Sequence, residues 1–424
     1  MARDRGPPRT RPSSKRRHPA SLPVGPDVCQ CGAVIDVALL AEGLDPRRGG
    51  AERAVRAVAA ALARNGLAVA VYAPQRRLGP PLAGVRAVGV SLPRLPRPLW
   101  AAALARRLRR RARADGAARV VACGKLLGAD AFWPHGGVHA AAREAAAQAG
   151  RRRAALARLG RRLRASEFAY DAIEARCFAA CRRGQAQAIA LSERVRRDMQ
   201  RWHGLAPEEI RVVRNGADPE RFAPPTRAAR GEARRALARR AGARGDATLA
   251  LFVGHSFRLK GLDLALRAVA PHPGVHLVVA GGDDPRPYAP LARECSLEGR
   301  LSFLGPVRDV APLYRGASFL LHPSRYDPCS LVVTEALASG LPVVASARDG
   351  ASEHLRQGRN GYVVRADEEP QAFADFVGLL DDPALQRLLA EGAAAFRRPW
   401  SEVGRELLAA AGSGADRAER GAGA

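Results

Sequence analysis

Residues 33–73 read AVIDVALLA, EGLDPRRGG, AERAVRAVAAALARNG, LAVAVYA. An apolar run of strand length leads into a loop that ends in Gly49-Gly50. A helical pattern follows from Ala51 to about Arg64, then a second apolar strand over Leu67–Ala73. Strand, glycine-bearing loop, helix and strand are the opening of a parallel, doubly wound sheet. Weaker strands are expected at Val85–Val90, Arg119–Cys123 and Gln187–Leu191, the last followed by a helix over Glu193–Trp202 and by Ile210–Gly216 (IRVVRNG).

The Pro-, Ala- and Arg-rich stretch Pro224–Asp246 suits an interdomain connection with a surface helix. After it the alternation restarts. Strands are expected at Thr248–Gly254, Val275–Gly282, Leu301–Gly305, Ala317–Ser324, Leu341–Ser346 and Gly361–Val364. Helices are expected at Leu262–Ala270, Leu331–Ser339, Pro370–Leu380, Pro383–Phe396 and Glu402–Ala411. The organisation is therefore a disordered basic arm (1–32), a first α/β domain (33–216), a linker (217–247), a second α/β domain (248–400), a terminal helix (401–411) and a disordered tail (412–424). Two such halves imply a cleft between them, with ligand at the carboxyl ends of the strands.

Composition agrees with two cores. The chain has 424 residues, 47% apolar and 26% charged, which excludes a disordered protein. No run approaches the roughly 18 uncharged apolar residues of a membrane span. The net charge of +28 favours anionic partners. Specific nucleic-acid binding is disfavoured, because aromatic residues are only 5% and no reader motif is present. Trp100–Arg113 and Ala140–Arg164 are basic, aliphatic and poor in acids. They read either as helices on an anionic membrane surface or as solvated arginine faces of ordinary packing helices. Seven scattered cysteines, at 29, 31, 123, 177, 181, 295 and 329, have no zinc-like spacing. They read as free thiols of a reducing cytoplasm, with no metal site.

The chemistry concentrates in the second half. Val253-Gly254 ends a strand, and His255-Ser256-Phe257-Arg258-Leu259-Lys260-Gly261 leads into the next helix. Arg258 and Lys260 would stand at a strand's carboxyl end beside a helix N-terminus, the elements of a diphosphate clamp. Only three of the cations are lysines (Lys15, Lys125 and Lys260), so a lysine in such a loop needs a reason. A compact ammonium against phosphate is one. In Asp327-Pro328-Cys329-Ser330-Leu331-Val332-Val333-Thr334-Glu335, Ser330 is a helix N-cap, and the amides of Leu331 and Val332 can take a phosphate oxygen. Glu335 shares the buried side of that helix. It must be satisfied either by sugar hydroxyls or by an arginine across the core.

These residues resemble the retaining, nucleotide-sugar-dependent glycosyltransferase family 4, of GT-B fold with two facing Rossmann-like domains. The motifs are Gly49-Gly50-Ala51-Glu52, Val213 to Phe222 (VRNGADPERF), Lys260-Gly261, and Asp327-x(7)-Glu335 followed by Ala336 to Val344 (ALASGLPVV). Asp327 replaces the family's usual Glu, and His255 stands where the family often has Arg. Val279 to Arg286, Leu320-Leu321-His322-Pro323 and the Gly128 to Gly137 region resemble glucosyltransferases of the lipopolysaccharide inner-core heptose.

The resemblance implies a metal-independent hexosyltransferase without cofactor. Its donor would be a nucleoside-diphosphate sugar, UDP-glucose above all, and its acceptor a membrane-associated glycolipid or oligosaccharide. It would act in the cytoplasm or peripherally on the inner face of the membrane. Lys260 and Arg258 would neutralise the departing diphosphate, and Asp327 would accept from the donor sugar. Ser330, Leu331, Val332, Gly49 and Gly50 would line the phosphates, and Glu335 would hold the ribose. His135, a histidine among glycines on a loop that can approach a sugar closely, reads as an acceptor or donor-phosphate contact, with Gly136 on the acceptor side. His139 reads either as an acceptor contact or as a packing histidine, and Lys125 is a weaker candidate for a phosphorylated acceptor. Retention would follow from a same-face displacement stabilised electrostatically, with no protein nucleophile. The alternatives are a non-catalytic binding protein of the same fold, or a family 4 transferase with another donor and acceptor.

Overall fold

The first sheet is carried by short strands that are buried on both faces. In the computed structural model, which describes residues 34–93, 95–148, 161–365 and 369–412, β1 (Val37–Leu40) and β2 (Val69–Pro74) have no exposed residue. Continuous apolar runs of this kind suit strands covered by helices on each side. The intervening α1 (Gly50–Arg64) buries Ala54, Val55, Val58, Ala59, Ala61 and Leu62, a single stripe at helical spacing. Then come β3 (Val85–Val90), α2 (Arg97–Ala114), β4 (Arg119–Ala122), β5 (Ala131–Phe132), α3 (His139–Gln148), α4 (Arg161–Arg182), β6 (Gln187–Ala190), α5 (Glu193–His203) and β7 (Ile210–Val212). The sheet order is β3-β2-β1-β4-β5-β6-β7, all parallel.

The second half opens with α6 (Arg227–Ala241), then β8 (Thr248–Val253), α7 (Leu262–Val269), β9 (Val275–Ala280), α8 (Ala289–Glu294), β10 (Leu301–Phe303), α9 (Ala311–Gly316), β11 (Phe319–His322), α10 (Leu331–Ala338), β12 (Val343–Ser346) and β13 (Gly361–Val364). It closes with α11 (Pro370–Leu379), α12 (Pro383–Ala394) and α13 (Trp400–Ala411). Its strands are parallel in the order β10-β9-β8-β11-β12-β13. Two facing Rossmann-like sheets are the GT-B architecture.

The chain crosses between the halves twice, and the crossings lie together. Ala217 donates its amide to the Arg398 carbonyl at 2.9 Å, and Ala217 bridges Pro399. Consequently α13 packs on the first half: a Cβ added at Gly404 would lie 3.0 Å from Leu62 of α1. The terminal helix expected at 401–411 is α13, and it lies against α1 of the first half. Within the linker stretch 217–247, α6 packs on α9, with the Gly316 Cβ position 2.5 Å from the Ala233 carbonyl. The body of α4 was not anticipated, because it has no clear period in an Ala/Arg-rich sequence. The basic arm and tail, and residues 149–160 of the second basic segment, lie outside the described residues.

The first basic segment is α2. Its stripe Ala101, Leu104, Ala105, Leu108 and Ala112 is buried in the core, whereas Arg106, Arg107, Arg109 and Arg110 are exposed. Its apolar face is therefore not available to a bilayer. Among the described residues no helix is long and apolar enough to cross a membrane.

Where β9 leaves the sheet, backbone meets backbone. A Cβ at Gly281 would lie 2.0 Å from the Gly254 carbonyl oxygen, whereas at Gly282 the nearest atom is 3.7 Å away. Gly281→Ala is expected to cost about 1–3 kcal/mol, read as a lower urea midpoint, and Gly282→Ala to leave the midpoint nearly unchanged.

Candidate active site

The loop after β8 is docked onto the loop after β11. Gly261, the residue before α7, has φ +75°, and a Cβ there would sit 2.1 Å from the Pro323 carbonyl oxygen. Only glycine permits both the left-handed backbone and the close approach. The preceding Lys260 lays its stem over Gly254, 3.0 Å from the Cβ position there, and its ammonium contacts the Asp327 carboxylate. Asp327 is 8% exposed. Arg258 and His255 are exposed. The Arg258 carbonyl accepts from Arg325 Nη1 at 2.9 Å, and Arg325 forms a two-pronged pair with Asp263 at 2.7 Å each, so the loop is braced from below. Lys260 and Asp327 are thus brought together, and Arg258 stays at the rim.

Ser330 occupies the N-cap position of α10, but its side chain makes no capping bond. Its hydroxyl donates instead to Asp349, whose other oxygen accepts the Ser330 amide at 3.1 Å and the Ala351 amide at 2.8 Å. The expectation of a serine cap is corrected here: a fully buried carboxylate needs donors and takes the hydroxyl. Burial and the nearby Asp327 charge both push the Asp349 carboxyl upward. Beside it, His322 at the end of β11 is wholly buried, 3.4 Å from Asp349 and 3.9 Å from Asp327, and neither ring nitrogen has a hydrogen-bond partner among the described residues. His322, Asp327 and Asp349 are a group of metal-ligating types, their ligand atoms within 4.8 Å of one another, and the Lys260 ammonium lies against the same Asp327 oxygen.

Glu335 is buried in the body of α10. It accepts from Arg53 Nη1 of α1 at 2.9 Å and from the Tyr314 hydroxyl of α9 at 3.0 Å. Burial raises its carboxyl and Arg53 opposes that shift. Of the two ways of satisfying this carboxylate, the arginine across the core is the one seen. Arg53, Arg221, Asp218, Phe222, Leu331 and Glu335 line a cleft of about 310 Å³ between the halves.

From the first half, Gly50 faces Leu331: its Cβ position is 3.7 Å from Leu331 Cδ1. The N-terminus of α1, with Gly49 as its cap residue, therefore meets the N-terminus of α10. The 135–138 loop also reaches across. Val138 donates its amide to the Tyr326 hydroxyl at 3.1 Å, and a Cβ at Gly137 would collide with that hydroxyl at 2.3 Å. Gly136 is exposed, with open space around its Cβ position. His135 is buried edge-on to Trp133, and its Nε2 has no partner among the described residues. His139 instead ties α3 to α4, its Nδ1 2.7 Å from Asp171 and its amide on Glu174. Lys125 lies 3.7 Å from the same Glu174 and over the Tyr170 ring.

Family models match both halves. One described as "Glycosyltransferase Family 4" covers residues 48–221 and one described as "Glycosyl transferases group 1" covers residues 247–382. The chain's two halves carry glycosyltransferase family 4 and group 1 domains in the GT-B fold. Among curated relatives, D-inositol 3-phosphate glycosyltransferase of Xylanimonas cellulosilytica is 36% identical over 243 residues, 53% of this chain and 58% of that one. Its counterpart in Mycobacterium marinum is 36% identical over 221 residues, 49% and 46% of the two chains. The chain thus spans about half the length of the curated relatives it matches. WaaG, a glycosyltransferase involved in lipopolysaccharide biosynthesis, has a similar structure, with TM-score 0.70, 23% identity and 87% and 98% coverage. Anabaena HepE, solved with UDP and glucose, gives TM-score 0.62, 17% identity and 88% and 98% coverage. These two likenesses are of fold.

Sequence reading missed Arg53, Tyr314, Tyr326 and Asp349 as members of the site. Arg53 sits one turn after Gly50 and could have been proposed as the arginine for Glu335, had arginines not been so common. Asp349 had only its place after a strand, before Gly350, as a signal.

Burial holds His135, His322 and His354 neutral, each lowered to about 3. The unfolded chain binds protons at these sites below about pH 6.5, so stability is present above that pH and falls as pH drops toward 3. Urea midpoints between pH 7 and pH 4 should show this slope, and His322→Gln should reduce it by up to about 1.4 kcal/mol per pH unit.

Proposed function

We propose that the protein moves a hexose from a nucleoside-diphosphate sugar, UDP-glucose above all, to an acceptor hydroxyl with retention of configuration. The observation that carries this reading is the meeting of the α1 N-terminus at Gly50 with the uncapped N-terminus of α10 at Leu331, with Lys260 held on Asp327 in the segment that leads into α10. An ammonium and two helix N-termini favour a diphosphate, and their attraction grows as the leaving group gains charge. Arg258, at the rim, adds positive charge on the same side. Asp327 then serves twice, orienting Lys260 and accepting from the donor sugar. Glu335 holds the ribose hydroxyls once Arg53 gives way to them. A nucleotide-sugar donor is further supported by the fold neighbour crystallised with UDP and glucose. The machinery uses no metal, because the clamp itself supplies the positive charge.

The acceptor is a glycolipid or oligosaccharide such as a lipopolysaccharide core heptose, reached at the cytoplasmic face of a membrane. The exposed arginines of α2 meet anionic headgroups there electrostatically, without insertion. His135 and the open backbone at Gly136 lie on the acceptor side. A second reading rests on the names of the curated relatives, which point to a phosphorylated polyol as acceptor.

Purified protein should bind UDP and hydrolyse or transfer from UDP-glucose in a donor panel read by thermal shift and product release. Lys260→Ala is expected to lower kcat/KM by about 100-fold or more. Glu335→Gln should act mainly on donor KM, by about tenfold. An inert wild type that binds no nucleotide would reject the reading.

A further inference from the structure

The pairing of Ser330 with Asp349 decides what the first turn of α10 has to offer. A helix leaves its first amides without intrahelical acceptors, and a serine at the N-cap ordinarily supplies one by turning its hydroxyl onto the second or third of them. Ser330 has the extended backbone of a cap residue, φ −66° and ψ 134°, but its hydroxyl is turned the other way. Asp349 holds it there and takes the Ser330 amide with its second oxygen. The same carboxylate is fixed by the Ala351 amide, and its backbone forms a bridge with Asp327. The carboxylate is fully buried, so no water competes for the hydroxyl.

Resting on the reading above, we propose that Asp349 is a positioning residue for the donor diphosphate: it withholds the Ser330 hydroxyl from capping duty and so leaves the amide of the half-buried Val332 for the ligand. The arrangement has a second consequence. Through the bridge to Asp327 and the Gly350 amide on the Asp327 carbonyl at 2.9 Å, Asp349 also fixes the segment that carries the Lys260 partner. One buried carboxylate thus sets both halves of the phosphate site, the helix end and the lysine's anchor. Gly350 must follow it. A Cβ there would strike the Pro328 carbonyl at 2.0 Å and Ser192 Oγ at 2.2 Å, so the turn is clamped between the halves.

Removal of the carboxylate releases the hydroxyl, which then caps the helix and competes with phosphate for the Val332 amide. The effect of Asp349→Ala must therefore depend on whether residue 330 has a hydroxyl. Affinity for UDP and for inorganic pyrophosphate, measured by titration calorimetry on the full chain, is compared across wild type, Asp349→Ala, Ser330→Ala and the double variant, with circular dichroism and urea midpoints as the check on folding. Asp349→Ala is expected to weaken both ligands about tenfold when Ser330 is present, and at most about twofold in the Ser330→Ala background.

Equal losses in the two backgrounds, or none in a folded Asp349→Ala, would overturn the proposal, because a merely structural carboxylate would not depend on the hydroxyl. If Asp349→Ala does not fold, Asp349→Asn takes its place in the cycle. There the neutral amide holds the hydroxyl less tightly, and the same dependence on Ser330 is required. Wild type that binds pyrophosphate but not UDP would count against the nucleotide reading and leave the coupling to be read on pyrophosphate. Binding of neither ligand would overturn both.

Discussion

The Lys260 ammonium rests on the Asp327 carboxylate at the open end of the second sheet, where the loops after β8 and β11 converge. Their side chains are 18% and 11% exposed, so each charge has lost most of its water and relies on the other. Removing one partner of such a pair leaves the other uncompensated, which is costly, whereas the intact pair adds little net stability. Its value is geometric. The lysine cannot wander as a surface lysine would, because its stem crosses Gly254 and its loop is pinned at Gly261 against Pro323. The ammonium is therefore held at one place beside Asp327.

The segment from Tyr326 to Glu335 is also where the halves are tied. The Tyr326 hydroxyl accepts from Val138, Ser192 Oγ donates to the Pro328 carbonyl at 2.8 Å, Asn215 Nδ2 donates to the Cys329 carbonyl at 2.7 Å, and Arg53 pairs with Glu335. Each joins one residue of the first half, or of the crossing at 215, to a residue of this segment. One short segment thus carries both the candidate site residues and the bonds that tie the halves together.

Much of this was legible before any coordinates. The apolar runs at 37–40 and 69–74, the glycine loop and the restart after residue 247 predicted two parallel sheets, and those strands formed. Lys260 stood out by the rarity of its type, and Asp327 and Glu335 by their places around a short apolar helix. The partners were not legible. Arg53 and Glu335 are 282 positions apart, and in a chain so rich in arginine nothing marks the one that crosses the cleft. Ser330 illustrates the other kind of miss. Its local preference for capping was read correctly as a preference, and a buried carboxylate nineteen positions later outcompeted it. Local chemistry says what a side chain can do. Burial of a distant partner decides which of those things it does.

Glu335 carries that argument to the cleft itself. With 6% of its side chain exposed, it would favour the neutral form were it alone, since burial penalises charge. Arg53 supplies the opposing charge from the other half, and the Tyr314 hydroxyl supplies a hydrogen bond from beneath. The ionisation of this carboxylate is therefore linked to the distance between α1 and α10. The guanidinium favours the charged form against that burial, and both oxygens are engaged, one by Arg53 and one by Tyr314. A neutral diol that replaces the guanidinium offers two donors and no charge, so it satisfies the hydrogen bonds but not the desolvated anion. Any ligand that binds there through hydroxyls must arrive with compensating positive charge nearby. Arg221, which lines the same cleft and already acts on this carboxylate, is one such source.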